Sequence, residues 1–131
     1  MKILVSTGKG GPADSVHPVF GRAPTFTIAD IERGSKDPLS LTVIDNPAMN
    51  SPGGAGISAA QKAIDVGAVA VISGNFGPKA AAALSSAGIK MYLFSGTVSS
   101  AMESFAKGKL DEVKSDVGAG FGFAGRGRGR I

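Results

Sequence analysis

The positions of hydrophobic and polar residues divide the first part of the chain into three strands. Residues 2–7 form a short apolar run, whereas residues 25–31 and 39–45 alternate between polar and apolar side chains. A period of two is typical of a strand with one covered face. Because a short charged turn joins the two alternating segments, we expect them to pair antiparallel. The chain therefore begins with a three-strand meander.

The pattern then changes to alternating helices and strands. Four consecutive apolar residues from position 69 predict a strand buried on both faces of a parallel sheet, and a further strand is expected over residues 89–94. Helices are predicted over residues 57–66, 78–87 and 97–107. The order β-β-β-α-β-α-β-α predicts an α/β fold with a mixed five-stranded sheet and helices on its faces.

The predicted helices carry recognisable start and core signals. Pro78 suits the first position of the second helix, where a missing N–H costs little. Thr97 or Ser95 is expected to cap the third helix. The first helix is expected to face the core through a stripe of four apolar residues: Ile57, Ala60, Ala63 and Ile64.

Glycine-rich loops are expected to meet at one edge of this sheet. Ligands of α/β sheets usually bind beyond the carboxyl ends of the parallel strands. The loops predicted there are residues 8–12, 53–56 and 74–78, with residues 17–22 nearby. A helix start that follows a glycine turn suits an anion, since its N–H groups point outward.

The turn after the buried strand is the main candidate. Gly74 and Gly77 bracket Asn75 and allow the backbone to approach a ligand closely, so we expect both glycines to resist substitution. The alternative is that this turn only connects a strand to a helix. Arg22 is a candidate anion contact through its forked donors, or else a partner in a surface salt bridge.

Composition limits the chemistry that the chain can perform. Without cysteine there is no thiolate ligand, which excludes a self-sufficient iron–sulfur or structural zinc site of the usual type. The N-terminal apolar run is too short for a signal peptide, and no stretch approaches the ~20 apolar residues of a membrane span. A cytoplasmic protein without a membrane partner is therefore expected.

Residues 5–11 resemble the opening of a deviant Walker motif. Pro12 and the residues after it lack the second Gly-Lys pair, so no lysine reaches the phosphate position. We therefore reject ATP hydrolysis. An enzyme acting on a phosphorylated small molecule is also disfavoured, because the single histidine, His17, has no matched acid or nucleophile motif.

The C-terminus has a different composition. Three arginines (Arg126, Arg128 and Arg130) supply three of the four net positive charges. Residues 115–131 almost lack hydrophobic periodicity and are predicted to be a disordered Gly/Arg-rich tail, which leaves residues 1–114 as the α/β domain. The tail either contacts nucleic acid or protein, as RGG segments do, or serves as a solubilising, non-specific tail.

Five motifs occur in a fixed order along residues 1–110. They are VFGRAPTF at 19–26, NP at 46–47, GAGI at 54–57, GNFGPKA at 74–80 and AGIKMY at 87–92. Together they resemble the dinitrogenase iron–molybdenum cofactor biosynthesis family, of the NifX type and the NifB C-terminal domain type. The resemblance implies a ribonuclease-H-like fold without ribonuclease chemistry.

The resemblance also implies a non-enzymatic protein that binds or carries an anionic metallocluster. The cargo would be iron–molybdenum cofactor or an iron–sulfur precursor, exchanged with donor or acceptor proteins. Some members place a histidine directly before Phe-Gly-Arg, whereas this chain has Val19 there and His17 two residues earlier. His17 is either a metal ligand or an exposed loop histidine without a role.

The residues predicted to hold the cluster include backbone donors, charged side chains and the imidazole. The alternative is a regulatory or interaction module without a cluster, which acts through its surface and basic tail. The predicted cofactor-binding residues are His17, Arg22, Gly54, Gly56, Gly74, Asn75, Gly77 and Lys79.

Overall fold

One mixed β-sheet with three helices makes up the fold. The computed structural model describes residues 1–32, 40–50 and 53–113. The helices are α1 (Ala55–Asp65), α2 (Pro78–Ser86) and α3 (Val98–Ala106). The strands are β1 (Lys2–Thr7), β2 (Thr25–Asp30), β3 (Ser40–Asp45), β4 (Ala68–Ser73), β5 (Lys90–Leu93) and β6 (Asp111–Val113).

The strand order β3-β2-β1-β4-β5-β6 confirms the α/β class and the mixed sheet. Strands β1, β4 and β5 are parallel, whereas β2, β3 and β6 each pair antiparallel with an inner neighbour. The sheet has six strands rather than the five predicted. The added strand β6 is three residues long and begins with exposed Asp111 and Glu112, so it has no apolar alternation to reveal it. The ribonuclease-H-like assignment stays a prediction.

Two hydrophobic layers cover the sheet. Leu4 and Val71 point to the side occupied by α1 and α2, whereas Ile3, Val5 and Ile72 point to the side occupied by α3. All five side chains are fully buried. The apolar run in β4 is therefore explained by burial on both faces from Ala70 onward, as predicted, whereas Val69 at its start is 45% exposed. The predicted domain boundary at residue 114 and the tail at 115–131 lie outside the described residues and remain predictions.

The core face of α1 differs from the predicted stripe. Ile57 and Ile64 are 48% and 38% exposed, whereas Ala60 and Ala63 are buried together with Ala55 and Ala59. The cause is the close approach of α1 and α2, since a Cβ on Gly56 would lie 3.2 Å from the Cβ of Ala80. Only small residues fit between helices that lie so close.

The helix ends follow the sequence signals. Pro78 is the first residue of α2, and Thr97 Oγ1 accepts the Ser100 N–H at 3.1 Å at the start of α3. Gly67 and Gly88 follow α1 and α2 with positive φ angles of 79° and 77°, as helix-terminating glycines do. In the part of the chain that the structure describes, no helix is long and apolar enough to cross a membrane.

Candidate functional site

Residues 14–22, called here the edge segment, lie across the carboxyl ends of the parallel strands. His17 N–H donates to the Ser6 carbonyl at the end of β1 (2.8 Å), and Gly74 N–H after β4 donates to the His17 carbonyl (3.1 Å). Val16 N–H donates to the carbonyl of Gly96 beyond β5 (2.7 Å). The edge segment is therefore bonded to all three parallel strands or the turns that follow them.

Two buried serines fix the backbone of His17. Ser6 and Ser73 are fully buried, their hydroxyl oxygens are 2.8 Å apart, and both hydroxyls donate towards the His17 carbonyl oxygen at 3.0 and 3.3 Å. Sequence reasoning missed this pair. The available signal was a serine at the carboxyl end of two apolar strands, where a buried hydroxyl needs a hydrogen-bond partner.

The imidazole of His17 is half-buried and held by its own loop. Its Nδ1 lies 3.0 Å from the Val19 carbonyl oxygen and 3.1 Å from the Val19 nitrogen. With its proton on Nδ1, the ring donates to the carbonyl, and the Nε2 lone pair remains for a ligand. With the proton on Nε2, Nδ1 accepts the Val19 N–H. Both neutral tautomers are thus satisfied.

Phe20 anchors the edge segment to the core. It is fully buried, with ring centroids 5.7 Å from Phe26 and 5.3 Å from Phe76. Its N–H donates to the carbonyl of Asn75 at 3.2 Å. The Asn75 side chain is exposed and its Oδ1 accepts the Phe76 N–H at 2.9 Å, so this residue shapes the turn after β4.

Close backbone contacts bring three of the four predicted loops together. A Cβ on Gly74 would lie 2.6 Å from the Cα of Pro18, and one on Gly21 would lie 2.9 Å from the backbone of Gly56. Gly56 in turn packs against Ala80. Loops 17–22, 53–56 and 74–78 therefore form one continuous surface that contains seven of the eight predicted site residues, and the eighth, Lys79, follows it as the second residue of α2.

Gly77, unlike Gly74, has room for a side chain. Its φ is −71°, and among the described residues no atom lies within 4 Å of the position of a Cβ. Neither a positive φ nor a contact within the described residues therefore requires glycine at position 77, and its predicted role in letting a ligand approach the backbone stays a prediction. Gly54 precedes α1 with a φ of 77°, a conformation that favours glycine.

The N-termini of α1 and α2 lie at this surface, and each carries the partial positive charge of its helix dipole. Their N-caps are Gly54 and Gly77, which have no side chain, and neither first turn contains an acidic residue. The first intrahelical hydrogen bonds are donated by Ser58 to Gly54 and by Ala81 to Gly77, both at 2.9 Å. The amides that precede these bonds lie at the helix ends, where the macrodipole favours an anion.

Two exposed cations flank the helix starts. Lys79 is the second residue of α2, and Arg22 ends the 3-10 turn Phe20–Arg22. Arg22 Nη1 donates to the carbonyl of Met49 at 2.9 Å, which holds the guanidinium beside the loop that leads to α1. Both predicted charges are thus placed next to the glycine contacts.

Asn46 supports this arrangement, although sequence reasoning assigned it only to the end of a strand. It is 5% exposed, and its Nδ2 donates to the carbonyls of Gly21 (3.1 Å) and Ala23 (2.9 Å). Its Oδ1 accepts the Ala48 N–H at 3.2 Å. One amide side chain therefore fixes the backbone on both sides of Arg22.

The fourth predicted loop, residues 8–12, follows the carboxyl end of β1 and is bonded to Asp14, the first residue of the edge segment. Three of its amides donate to Asp14 Oδ2, and the Gly11 N–H donates to Thr27 Oγ1 at 3.1 Å. Gly10 lies against Val43 of the edge strand β3. The amides of residues 8–11 are thus satisfied within the chain, and the predicted meeting of this loop with loops 53–56 and 74–78 stays a prediction.

The same contacts predict the acid stability of the fold. The amides of Gly10, Ser15, Lys9 and Gly8 hold the pKa of Asp14 below its ordinary value of 3.8, against an opposing desolvation effect. A lowered folded-state pKa stabilises the fold above the unfolded value, and this stabilisation is lost as the pH falls from 3.8 through the lower folded value.

We therefore expect Asp14→Asn to lose less stability than the wild type when acidified. Thermal unfolding between about pH 5 and pH 2 measures this slope. Asp45→Asn, which alters an exposed carboxylate at the end of β3, is the matched control. An unchanged slope for Asp14→Asn would contradict the role of these four amides.

The described residues around the edge segment include few metal ligands, and an open cleft lies beside this segment. Among the described residues, no group of three or more histidine, aspartate or glutamate side chains is placed to hold a metal ion. Metal ligation by His17 thus stays a prediction. The cleft has a volume of about 530 Å³ and is lined by Val16, Pro18, Gly74, Leu93, Phe94, Ser95 and Asp111.

Comparison with known proteins agrees with this architecture. The chain is 33% identical over 98 residues to an uncharacterised protein of Methanocaldococcus jannaschii, covering 74% of this chain and 81% of that one. The apo form of the orange protein from Desulfovibrio gigas is similar in structure, with a TM-score of 0.77 and 35% identity over 86% of this chain and 92% of that one.

A NifB-type protein of Thermotoga is also similar, with a TM-score of 0.70 and 29% identity over 85% of this chain and 91% of that one. The family model described as dinitrogenase iron-molybdenum cofactor matches residues 1–108. This match covers every helix and strand described above except β6. The chain therefore belongs to the dinitrogenase iron–molybdenum cofactor family.

Proposed function

We propose that this protein is a non-enzymatic binding or carrier protein for an anionic metallocluster. The cargo is of the iron–molybdenum cofactor or iron–sulfur precursor type, which the family name and the NifB-type relative support. One observation carries the proposal: two helix starts without acidic residues meet at the Gly21–Gly56–Ala80 contacts, beside Arg22 and Lys79.

Several weak donors must act together in such a site. A helix start contributes about 0.3–1 kcal/mol towards an anion. The two helix starts alone therefore hold a cluster only loosely. Arg22 adds a charged, forked donor whose position is fixed by Met49, and Lys79 adds a mobile point charge. Multiple anionic atoms on one cargo would engage these donors at the same time.

The side chains fit a releasable cargo better than a permanently bound one. The chain has no cysteine, so a cluster would be held by hydrogen bonds and charge, with His17 as the one imidazole ligand. The Val19 carbonyl orients that imidazole in the manner typical of metal-binding histidines. A carrier must also deliver its cargo, and we include cluster donor and acceptor proteins as its partners.

Anaerobic reconstitution with an isolated anionic cluster tests this function. We expect the wild type to bind and to change the visible spectrum of the cluster. His17→Ala should bind without that spectral change, because the imidazole ligand is lost. Arg22→Ala should keep the spectrum but bind about tenfold more weakly, as expected for the loss of one charge-assisted hydrogen bond.

Lys90→Ala is the matched control, since it removes an exposed cation from the opposite edge of the sheet. It should bind as the wild type does. If wild type and all variants bound equally, backbone donors alone would hold the cargo. A wild type that takes up no cluster would overturn the carrier function and favour an interaction module without a cluster.

A further inference from the structure

The loop after β1 wraps around a carboxylate of its own chain. The amides of Gly8, Lys9 and Gly10 donate to one oxygen, Asp14 Oδ2, at 2.9, 2.8 and 2.8 Å. Three successive amides that converge on one point form a nest, an anion-binding arrangement also found in phosphate-binding loops. In this protein the anion bound by the nest is the side-chain carboxylate of Asp14.

The rest of the loop holds this cradle in place. Gly10 and Gly11 have φ angles of 96° and 101°, a conformation that other residues rarely adopt. Thr27 Oγ1 accepts the Gly11 N–H, and the Asp14 carbonyl accepts the N–H of Val98 at the start of α3 at 2.8 Å. The cradle is thus built from β1, β2 and α3 together.

We propose that residues 8–10 are an oxyanion site whose occupant is the Asp14 carboxylate, which excludes inorganic phosphate and phosphate-bearing small molecules. A carboxylate and a phosphate offer similar anionic oxygens to such amides. Asp14 has the advantage of being attached to the same loop, so a free anion must displace a tethered competitor. This inference does not depend on cluster binding at the edge segment.

Because of the position of Asp14, a mutation that removes its carboxylate should let phosphate reach the amides of residues 8–10. Asp14 is only partly buried, so the cradle opens to solvent, and the exposed Lys9 places a further positive charge beside it. Without the carboxylate, three converging amides would face water. Asp14 is then a specificity-determining residue: it explains why a glycine loop that resembles a phosphate-binding loop does not act as one.

A phosphate titration of the full chain tests the proposal. We compare the wild type, Asp14→Ala and Asp14→Asn in phosphate and in chloride at matched ionic strength. The Tm of Asp14→Ala should rise by about 5 °C more than that of the wild type at 100 mM phosphate, as expected for a Kd near 10 mM. The wild-type titration accounts for the general stabilisation by phosphate.

Two further variants and a local readout sharpen the result. Asp14→Asn retains an amide oxygen for the cradle and should gain less than Asp14→Ala. Asp111→Ala, which removes an exposed carboxylate from β6 at the same sheet edge, should follow the wild type. In nuclear magnetic resonance spectra, phosphate should shift the amide signals of residues 8–10 in Asp14→Ala and not in the wild type.

Failure of the proposal is equally measurable. A Tm rise in Asp14→Ala no larger than that of the wild type or of Asp111→Ala would overturn it. If Asp14→Ala is unfolded in chloride, circular dichroism follows the same titration. Refolding in phosphate but not in chloride would support the cradle, and an unfolded chain at 100 mM phosphate would overturn it.

Discussion

Gly74→Ala is expected to lower the free energy of unfolding by about 3 kcal/mol. The new Cβ would lie 2.6 Å from the Cα of Pro18 and 3.0 Å from its carbonyl oxygen. Both atoms belong to the backbone of the edge segment, which His17 ties to β1 and β4. The clash therefore cannot be relieved by turning a side chain, and the segment must leave the sheet edge.

Gly77→Ala is the control for this prediction, since it places the same methyl group three residues later. With a φ of −71° and open space around the Cβ position, it should cost no more than about 1 kcal/mol, the usual cost of alanine at an N-cap. Denaturant unfolding of both variants provides the measurement. Equal stability of the two variants would show that the edge segment can move away from Gly74 without cost.

Asn46→Ala is expected to lower the free energy of unfolding by a similar amount, about 3 kcal/mol, because buried hydrogen bonds are lost. The variant removes both donors to the carbonyls of Gly21 and Ala23 and the acceptor of the Ala48 N–H. Because Asn46 is 5% exposed, water cannot easily replace these partners. Each unsatisfied buried group costs about 1–3 kcal/mol, partly relieved by local rearrangement.

Asn50→Ala provides the matched control, because Asn50 is exposed and lies in the same connection. It should change stability by no more than about 0.5 kcal/mol. Denaturant unfolding again gives the free energies, and hydrogen exchange of the Arg22 and Ala48 amides reports the local effect. Protection of these amides in Asn46→Ala at the wild-type level would contradict the role assigned to Asn46.

Elements that depend on local pattern could be predicted from the sequence. The apolar run of β4, the antiparallel pairing of β2 with β3, and the Pro78 and Thr97 helix starts all appear in the structure as predicted. Burial and backbone geometry act over a few residues in each of these cases. The single covered face expected from the alternation does not appear, because β2 is buried on both faces and β3, at the edge of the sheet, is largely exposed. A need for glycine at position 74 was also expected, although the close neighbour is the backbone of Pro18 rather than the expected bound ligand.

Features that depend on distant partners could not be predicted in this way. The inward face of α1 is set by the closeness of α2, which excludes Ile57 and Ile64 in favour of alanines. Strand β6 forms because β5 has a free edge rather than because its own residues are apolar. Loop 8–12 is closed by Asp14, and no spacing rule distinguishes a loop that binds an external anion from one that binds its own carboxylate.

The buried serine pair also determines when the candidate site can form during folding. Ser6 and Ser73 are 67 positions apart, so the contact that fixes His17 requires the parallel pairing of β1 and β4 across a long stretch of chain. Contacts of this range form only after the entropy of loop closure has been lost, and we expect them to form late in folding. A cargo that binds at His17 would therefore bind only the fully folded protein. It would slow unfolding while leaving the rate of folding unchanged.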